Sequence, residues 1–413
     1  MRISSNTLFD NNVAAMGQQQ VRLLQTQQQV STGRRILTAS DDPVAAARAL
    51  DVSQSDAMNT QYAANRSMAR HTLSLAESTL QNVTSLIQDV QTATVNAGNG
   101  TLNNSDRQTI ATDLSGRLQE LIGLANSTDG VGNYLFAGFQ SRTQPFDTAA
   151  GALYYGDDGQ RLVQVSATRQ MAASDSGADV FMRIKNGNGT FVTQAAATNS
   201  GSGIVSQGAR ANPPPTAAQV GNSYTLTFSI AGPVTTYTIT GTDSTGAALP
   251  TVGQPAALPA AVPYVSGQAI SFNGIQFDIQ GAPANGDQFT VTPSANESLF
   301  KTMSDLITAL NTPVVSGGSA QLTNSLNRGL NNLGNALNNI LTIRSSLGLR
   351  LNEIDALQSA GDDLSLQFKQ TLSQLQEVDY NKALSDLTMQ QTSLQAAQKS
   401  FAKISDLSLF NYL

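Results

Sequence analysis

Neither cysteine nor tryptophan occurs in the 413 residues, and there is a single histidine, His71. Without cysteine the chain has no disulfide framework, no thiolate nucleophile and no sulfur ligand for a metal. With one histidine, a zinc-type site would have to be built from carboxylates alone. Charge is scarce too: 13% of residues are charged and the net charge is −6. The basic footprint of a nucleic-acid binder is therefore missing. Weak acidity bears on solubility more than on partners. No apolar run approaches the ~18 residues of a membrane-spanning helix. The opening MRISSNTLFDNNVAAMGQQQ also lacks the ~7–15-residue apolar run of a secretory signal. These absences predict no membrane, nucleic acid, metal or cofactor, and either a cytosolic location or export by a route that cleaves no signal peptide.

Catalytic motifs are absent as well. There is no phosphate-binding GxxxxGK[ST] loop and no GxSxG elbow. The adjacent pairs Asp41-Asp42, Asp157-Asp158 and Asp362-Asp363 fall at predicted turns or caps, where carboxylates accept backbone N–H groups. NGNGT (186–190) opens no helix and reads as a turn. His71, on a predicted helix with no second histidine, reads as a surface or interface residue. The chain is expected not to be an enzyme.

What is present is organised in three parts. Residues 1–138 and 297–413 are rich in Leu, Ala and Gln; Pro43 and Pro313 lie in them, and the remaining prolines lie in 139–296. Two helical arms therefore flank a β-rich insertion.

The arms carry heptads. In the first, Phe9, Val13, Met16, Gln20, Leu23, Gln27 and Val30 follow the 4-3 spacing of a coiled-coil seam. The stretch GQQQVRLLQTQQQVSTG (17–33) thus reads as one side of a seam rather than low complexity, with Gln20 and Gln27 fixing register at some cost in stability. After Ser31-Thr32-Gly33, SDDPVAAARAL starts a second helix. Asp42 caps its free N–H groups, and Pro43 takes the first helical position, where no donor is needed. This helix is expected to reach about Ala97, with Leu73, Ala76, Leu80, Val83, Ile87 and Val90 on one stripe. NAGNGTLNNSD (96–106) is a turn, and a shorter helix with Ile110, Leu114, Leu121 and Leu124 follows.

In the C-terminal arm, Leu326, Leu330, Leu333, Leu337, Ile340, Arg344, Leu347, Leu351 and Ile354 keep heptad spacing. A turn is expected near Ser359-Ala360-Gly361. The last helix carries Tyr380, Leu384, Leu387, Gln391, Leu394, Gln398 and Phe401 on its stripe. An isolated arm of this kind is marginal in stability, so it needs the other terminus or neighbouring subunits. That dependence suits a polymer subunit.

The middle segment reads as strands: SYTLTFSI (223–230), TTYTIT (235–240), QAISFNGIQFDIQ (268–280) and DQFTVTP (287–293) alternate apolar and polar residues. One or two small antiparallel β domains are predicted, the break falling near 211–216 at the PPP triplet. The fold class is α+β and multidomain: heptad helices from both termini form a coiled-coil or bundle stalk around an inserted antiparallel β-rich domain.

The arms resemble the flagellin superfamily of bacteria. QVSTGRRILTASDDPVAAARAL (29–50) is similar to its N-terminal signature, and DYNKALSDLTMQQTSLQAAQKSFAKISDLSLFNYL (379–413) to its C-terminal helix. MRISSNTLFDNN, GNYLFAGFQSRTQPF (132–146) and the SLFNYL end are similar to the branch that joins hook to filament, and GAPANGDQFTVTP (281–293) resembles a β motif found in hook-associated proteins. The resemblance implies export in the unfolded state through the flagellar type III apparatus, and an inner coiled-coil tube with the β domain outside. It also implies partners: copies of the chain in a ring, the first hook–filament junction protein, flagellin, and a cytosolic export chaperone at the C-terminal region. A filament flagellin is the near alternative. A secreted enzyme or adhesin with flagellin-like arms is the alternative of another class, disfavoured because the middle segment has neither His nor Cys.

Overall fold

A computed structural model describes residues 5–147, 152–211, 221–249, 261–314 and 319–406. The PPP triplet and the SLFNYL end lie outside the described residues. The helices are α1 (Ser5–Thr32), α2 (Pro43–Ala97), α3 (Asn104–Ala125), α4 (Leu299–Asn311), α5 (Ser319–Gln376) and α6 (Tyr380–Asp406). The strands are β1 (Leu162–Ser166), β2 (Arg169–Ala172), β3 (Ile184–Lys185), β4 (Phe191–Ala195), β5 (Ile204–Val205) and β6 (Ala209–Arg210). They continue with β7 (Ser223–Ala231), β8 (Val234–Thr242), β9 (Val262–Pro263), β10 (Ala269–Phe272), β11 (Ile275–Gln280), β12 (Gln288–Pro293) and β13 (Asn296–Glu297).

Two compact units divide the chain differently from the three compositional segments. One comprises Met1–Arg66, Val165–Ala167 and Asp355–Leu413, the other Ser67–Gln164 and Thr168–Ile354. The helices α2 and α5 contribute to both, because the divisions fall inside them.

In the second unit the apolar stripes make a helical core. Leu73, Leu80, Val83, Ile87 and Val90 of α2 are buried, as are Leu326, Leu333, Ile340, Leu347 and Ile354 of α5. Arg344 interrupts the α5 stripe without breaking it. Its Nη2 donates to Glu77 Oε1 at 2.7 Å and to Gln81 Oε1 at 2.8 Å on α2, so the charge is paired where it is part-covered. The turn 98–103 ends in a capping box: Asp106 N donates to the Asn103 side chain while the Asp106 carboxylate accepts from Asn103 N. At the far end of α3, Asn126 accepts from Phe146 N at 3.0 Å and donates to Phe146 O at 2.9 Å. That pair of hydrogen bonds holds Phe146 in a cluster with Phe181 and Phe300, at centroid distances of 5.6 and 5.0 Å. Phe136 meets Phe181 edge-on at 5.4 Å. The YLFAG stretch is therefore core: Leu135, Phe136 and Ala137 are buried.

The β region is a two-layer sandwich. One sheet runs β4-β12-β7-β8-β9, the other β10-β11-β5, with β6 also on β11. Tyr224, Leu226, Phe228, Phe277, Ile279, Phe289 and Val291 fill the space between, as alternation on half-buried strands requires. The stretch 268–280 is a hairpin rather than one strand, because Asn273 and Gly274 both take positive φ (+46° and +76°). That is the primed turn that Asn-Gly favours. In the GAPANGD loop, buried Asp287 accepts from Ala284 N, Ser200 N and Gly201 N at 2.8, 2.9 and 3.1 Å.

An amide ladder on α5 holds the β region. Gln321 donates to Ala197 O and Asn199 O, and Asn324 donates to Gly203 O while accepting from Val205 N. Asn332 accepts from Gly187 N, Asn335 donates to Lys185 O and Gly187 O, and Asn339 to Asp179 O and Val180 O. Helical spacing of three or four puts these residues on one face.

Candidate assembly interface

In the first unit α1 and α6 pack on each other and run antiparallel. Phe9 meets Phe401 at a ring distance of 4.9 Å near one end, and Arg34 pairs with Glu377 at the other. The more covered face of α1 runs through Asn12, Met16, Gln19, Leu23, Thr26 and Val30, and that of α6 through Ala383, Leu387, Gln390, Leu394, Ala397 and Phe401.

This face corrects the expected seam as an intrachain contact. Met16, Leu23, Val30, Leu387, Leu394 and Phe401 are part-covered. Phe9, Val13, Gln20, Gln27, Leu384, Gln391 and Gln398 are exposed, and so is Tyr380. The glutamines that turn toward the partner are Gln19 and Gln390, one position earlier on each helix. Each has a buried side-chain oxygen with no hydrogen-bond partner among the described residues. A single-residue shift of this kind is invisible in a Gln triplet, where neighbouring positions are chemically identical. The other side of the unit keeps large apolar residues in solvent: Val21 is 64% exposed, Leu24 58%, Leu384 49% and Met389 67%.

The connection between α1 and α2 is built from side chain to backbone contacts. Gly33 ends α1 with φ +70°, the left-handed conformation glycine adopts without strain, and a Cβ there would meet Tyr380 Oη at 2.9 Å. Gly33 O then accepts from Val378 N at 3.0 Å, and Arg35 N donates to Gln376 O at 2.7 Å. Asp41 accepts from Thr38 N and Leu37 N at 2.8 and 3.0 Å, and these two donors hold its carboxyl below the ordinary carboxylate value. Asp42 accepts from Ala45 N at 3.0 Å at the start of α2, with Pro43 as first helical residue. That bond, with help from Arg35 at 3.3 Å, lowers Asp42 as well.

The turn expected at 359–361 is not there. Helix α5 continues to Gln376, and Asp379 starts α6 by accepting from Asn381 N and Lys382 N at 3.0 and 3.2 Å. Gly361 lies within the helix because α2 comes close: Asn59 Nδ2 donates to Gly361 O at 2.7 Å, and a Cβ would collide with the Arg66 guanidinium. Buried Arg66 in turn donates to Gln358 Oε1 and Val165 O, both at 2.9 Å. Sequence reasoning missed Arg66, Asn59 and Gly361 as a set; only the glycine inside a heptad run hinted at a close approach.

Asp157 accepts from Phe139 N, Gln140 N and Gly159 N, so it fixes a loop. His71 is exposed on α2. Among the described residues no three His, Asp or Glu side chains gather as a metal site, and no helix is long and apolar enough to cross a membrane.

Terminal helices paired across almost the whole sequence, with a β sandwich between them, define a flagellin-type subunit. Residues 3–141 match the family model for the bacterial flagellin N-terminal helical region, and residues 330–413 that for the C-terminal helical region. The chain belongs to the flagellar hook-associated protein 3 family. It is 32% identical over 415 aligned residues to the flagellar hook-associated protein 3 of Salmonella typhimurium, covering 99% of each. Among solved structures it is similar to FlgL of Xanthomonas campestris, with 30% identity and a TM-score of 0.69 over 78% of this chain and 99% of that one. It is also similar to the flagellar junction protein FlgL of Legionella pneumophila, with 32% identity and a TM-score of 0.68 over 80% and 100%.

Proposed function

We propose that this chain is a structural, non-enzymatic subunit of the flagellar hook–filament junction. It assembles as a ring of copies on the first junction protein and presents the surface on which flagellin polymerises. The observation that carries the junction role over that of filament flagellin is the full-length similarity, β region included, to relatives bearing the hook-associated protein 3 name. Polymerisation through the arms is supported by the exposed apolar residues of α1 and α6. In this reading Val13, Gln20, Gln27, Leu384, Gln391 and Gln398 face neighbouring subunits, while Met16, Leu23, Val30, Leu387, Leu394 and the Phe9–Phe401 ring pair hold the arms together within one chain. The chain leaves the cell unfolded through the flagellar type III apparatus, delivered by a cytosolic chaperone that binds its C-terminal region. Deleting the gene tests the role: hooks without filaments, with flagellin released into the medium, are expected. Normal filaments in that strain would refute it, and loss of the main filament protein itself would point to flagellin.

A further inference from the structure

The amide ladder of α5 has one rung of different chemistry. Positions 321, 324, 328, 332, 335 and 339 follow one another at steps of three or four, so they share a face of the helix. Gln321, Asn324, Asn335 and Asn339 donate their amides to backbone carbonyls within 197–203 and 179–187, and Asn332 accepts from Gly187 N and donates to the Glu297 carboxylate. Position 328 is Arg328, which is part-covered and has neither an ion pair nor a hydrogen bond among the described residues. It lines a cavity of about 350 Å³ between α4, α5 and the segment around β4, within the ~300–1,000 Å³ range of small-ligand sites. Asn327 and Asn331 line the same cavity, and their side-chain amides are likewise without partners among the described residues. Gln194 and Thr308 are among the other polar residues of the lining. The one carboxylate in the lining, Asp305, is held by Lys301 at 2.8 Å.

We propose that this cavity binds a carboxylate-bearing ligand, with Arg328 pairing to the carboxylate and Asn327 and Asn331 donating from the flanks. A guanidinium offers a planar fork of donors that matches a carboxylate, and such charge-assisted bonds outweigh neutral ones. Free amide donors beside it extend the same preference for acceptor oxygens. The site is independent of the junction role, since it uses no residue of α1 or α6.

Calorimetric titration of the full-length monomer with succinate, with its neutral counterpart succinamide, with inorganic phosphate and with the end-blocked peptide Ala-Glu-Ala tests this. Saturable binding of succinate or the peptide is expected. R328Q should weaken it about tenfold or more, R328K should restore part of it, and succinamide should not compete. Tighter binding of the peptide assigns the carboxylate to an acidic side chain, and tighter binding of succinate to a free small molecule. No saturable binding of either carboxylate, equal binding by R328Q, or phosphate bound as well as both carboxylates would overturn the proposal. If R328Q fails to fold, as judged by its circular dichroism, N331A serves in its place with the same expected direction.

Discussion

The two compact units solve the problem of burial in opposite ways. The unit made of Ser67–Gln164 and Thr168–Ile354 closes its own cores, with Leu80, Ile87, Phe136, Phe146, Phe181 and Phe289 among its fully buried side chains. In the unit made of both termini, the buried hydrophobic residues among those described are Ala45, Ala49, Val165 and Ala383. No described Leu, Ile, Phe or Met of α1 or α6 is buried. Burial of apolar side chains supplies most folding stability. The first unit therefore draws less stability from apolar burial within the single chain than the second does.

The largest expected effect that tests this contrast is hydrogen exchange on the monomer. Amides of 67–97 and 326–354 should exchange orders of magnitude more slowly than those of 9–32 and 380–403, because only the former sit in a closed core. Strong protection across α1 would remove the distinction. Truncation gives the next measure. Phe181→Ala should cost about 3–5 kcal/mol and Leu80→Ala about 2–5 kcal/mol in denaturant unfolding. Leu24→Ala, 58% exposed on α1, should leave monomer unfolding within about 0.5 kcal/mol of the parent and act instead on assembly.

Gly361→Ala should cost the first unit about 1–3 kcal/mol, since the added methyl forces Arg66 and Asn59 aside. Thermal unfolding of the variant should show the loss. Acid should act on the connection between α1 and α2. The folded-state pKa values of Asp41 and Asp42 lie below the ordinary 3.8. Their contribution is present above that value and is lost as pH falls through the lowered values. Exchange of the Leu37, Thr38 and Ala45 amides should accelerate below pH 3.8 as the acceptors protonate. An unchanged rate there would show that these carboxylates do not hold the connection.

The smallest expected effect belongs to the paired glutamines. Gln19 and Gln390 stand at the same level of the antiparallel pair, since Phe9 meets Phe401 on one side and Arg34 meets Glu377 on the other. Each buries an unpartnered oxygen, so replacing both by leucine should stabilise the arms by about 1 kcal/mol. It should also make self-association less selective in register. Replacing Gln20 and Gln27 instead should change assembly and not the arm pair.

How much of this was legible in the sequence follows the same contrast. The stripes at 73–90 and 326–354 could be read directly, because a closed core demands one large apolar residue at each inward position. Asp42-Pro43 could be read because capping is local chemistry. The inner face of α1 was legible at Met16, Leu23 and Val30 but passes through Asn12, Gln19 and Thr26 where Val13, Gln20 and Gln27 were expected, since a helix that buries little leaves its glutamines free of a pattern. Gly361 read as a turn because a glycine made for close approach carries the same letter as one made for bending. The true break at Glu377–Asp379 has neither glycine nor proline to announce it. The 273–274 turn was written plainly as Asn-Gly, and the step of three from Phe272 to Ile275 breaks the alternation there. Arg328 gave no signal, because only the pairing of its neighbours makes it stand out.

The contact between Gly33–Arg35 and Gln376–Val378 has one further consequence, for timing. Arg35 Nη2 donates to Leu375 O at 2.8 Å across 340 residues of sequence. Contacts at such separation form late, because the intervening loop must close first. As the chain is synthesised, its leading helix has no partner until nearly everything behind it has followed. The first segment out is the last to be fastened, and the closed middle unit is in place before the ends can meet.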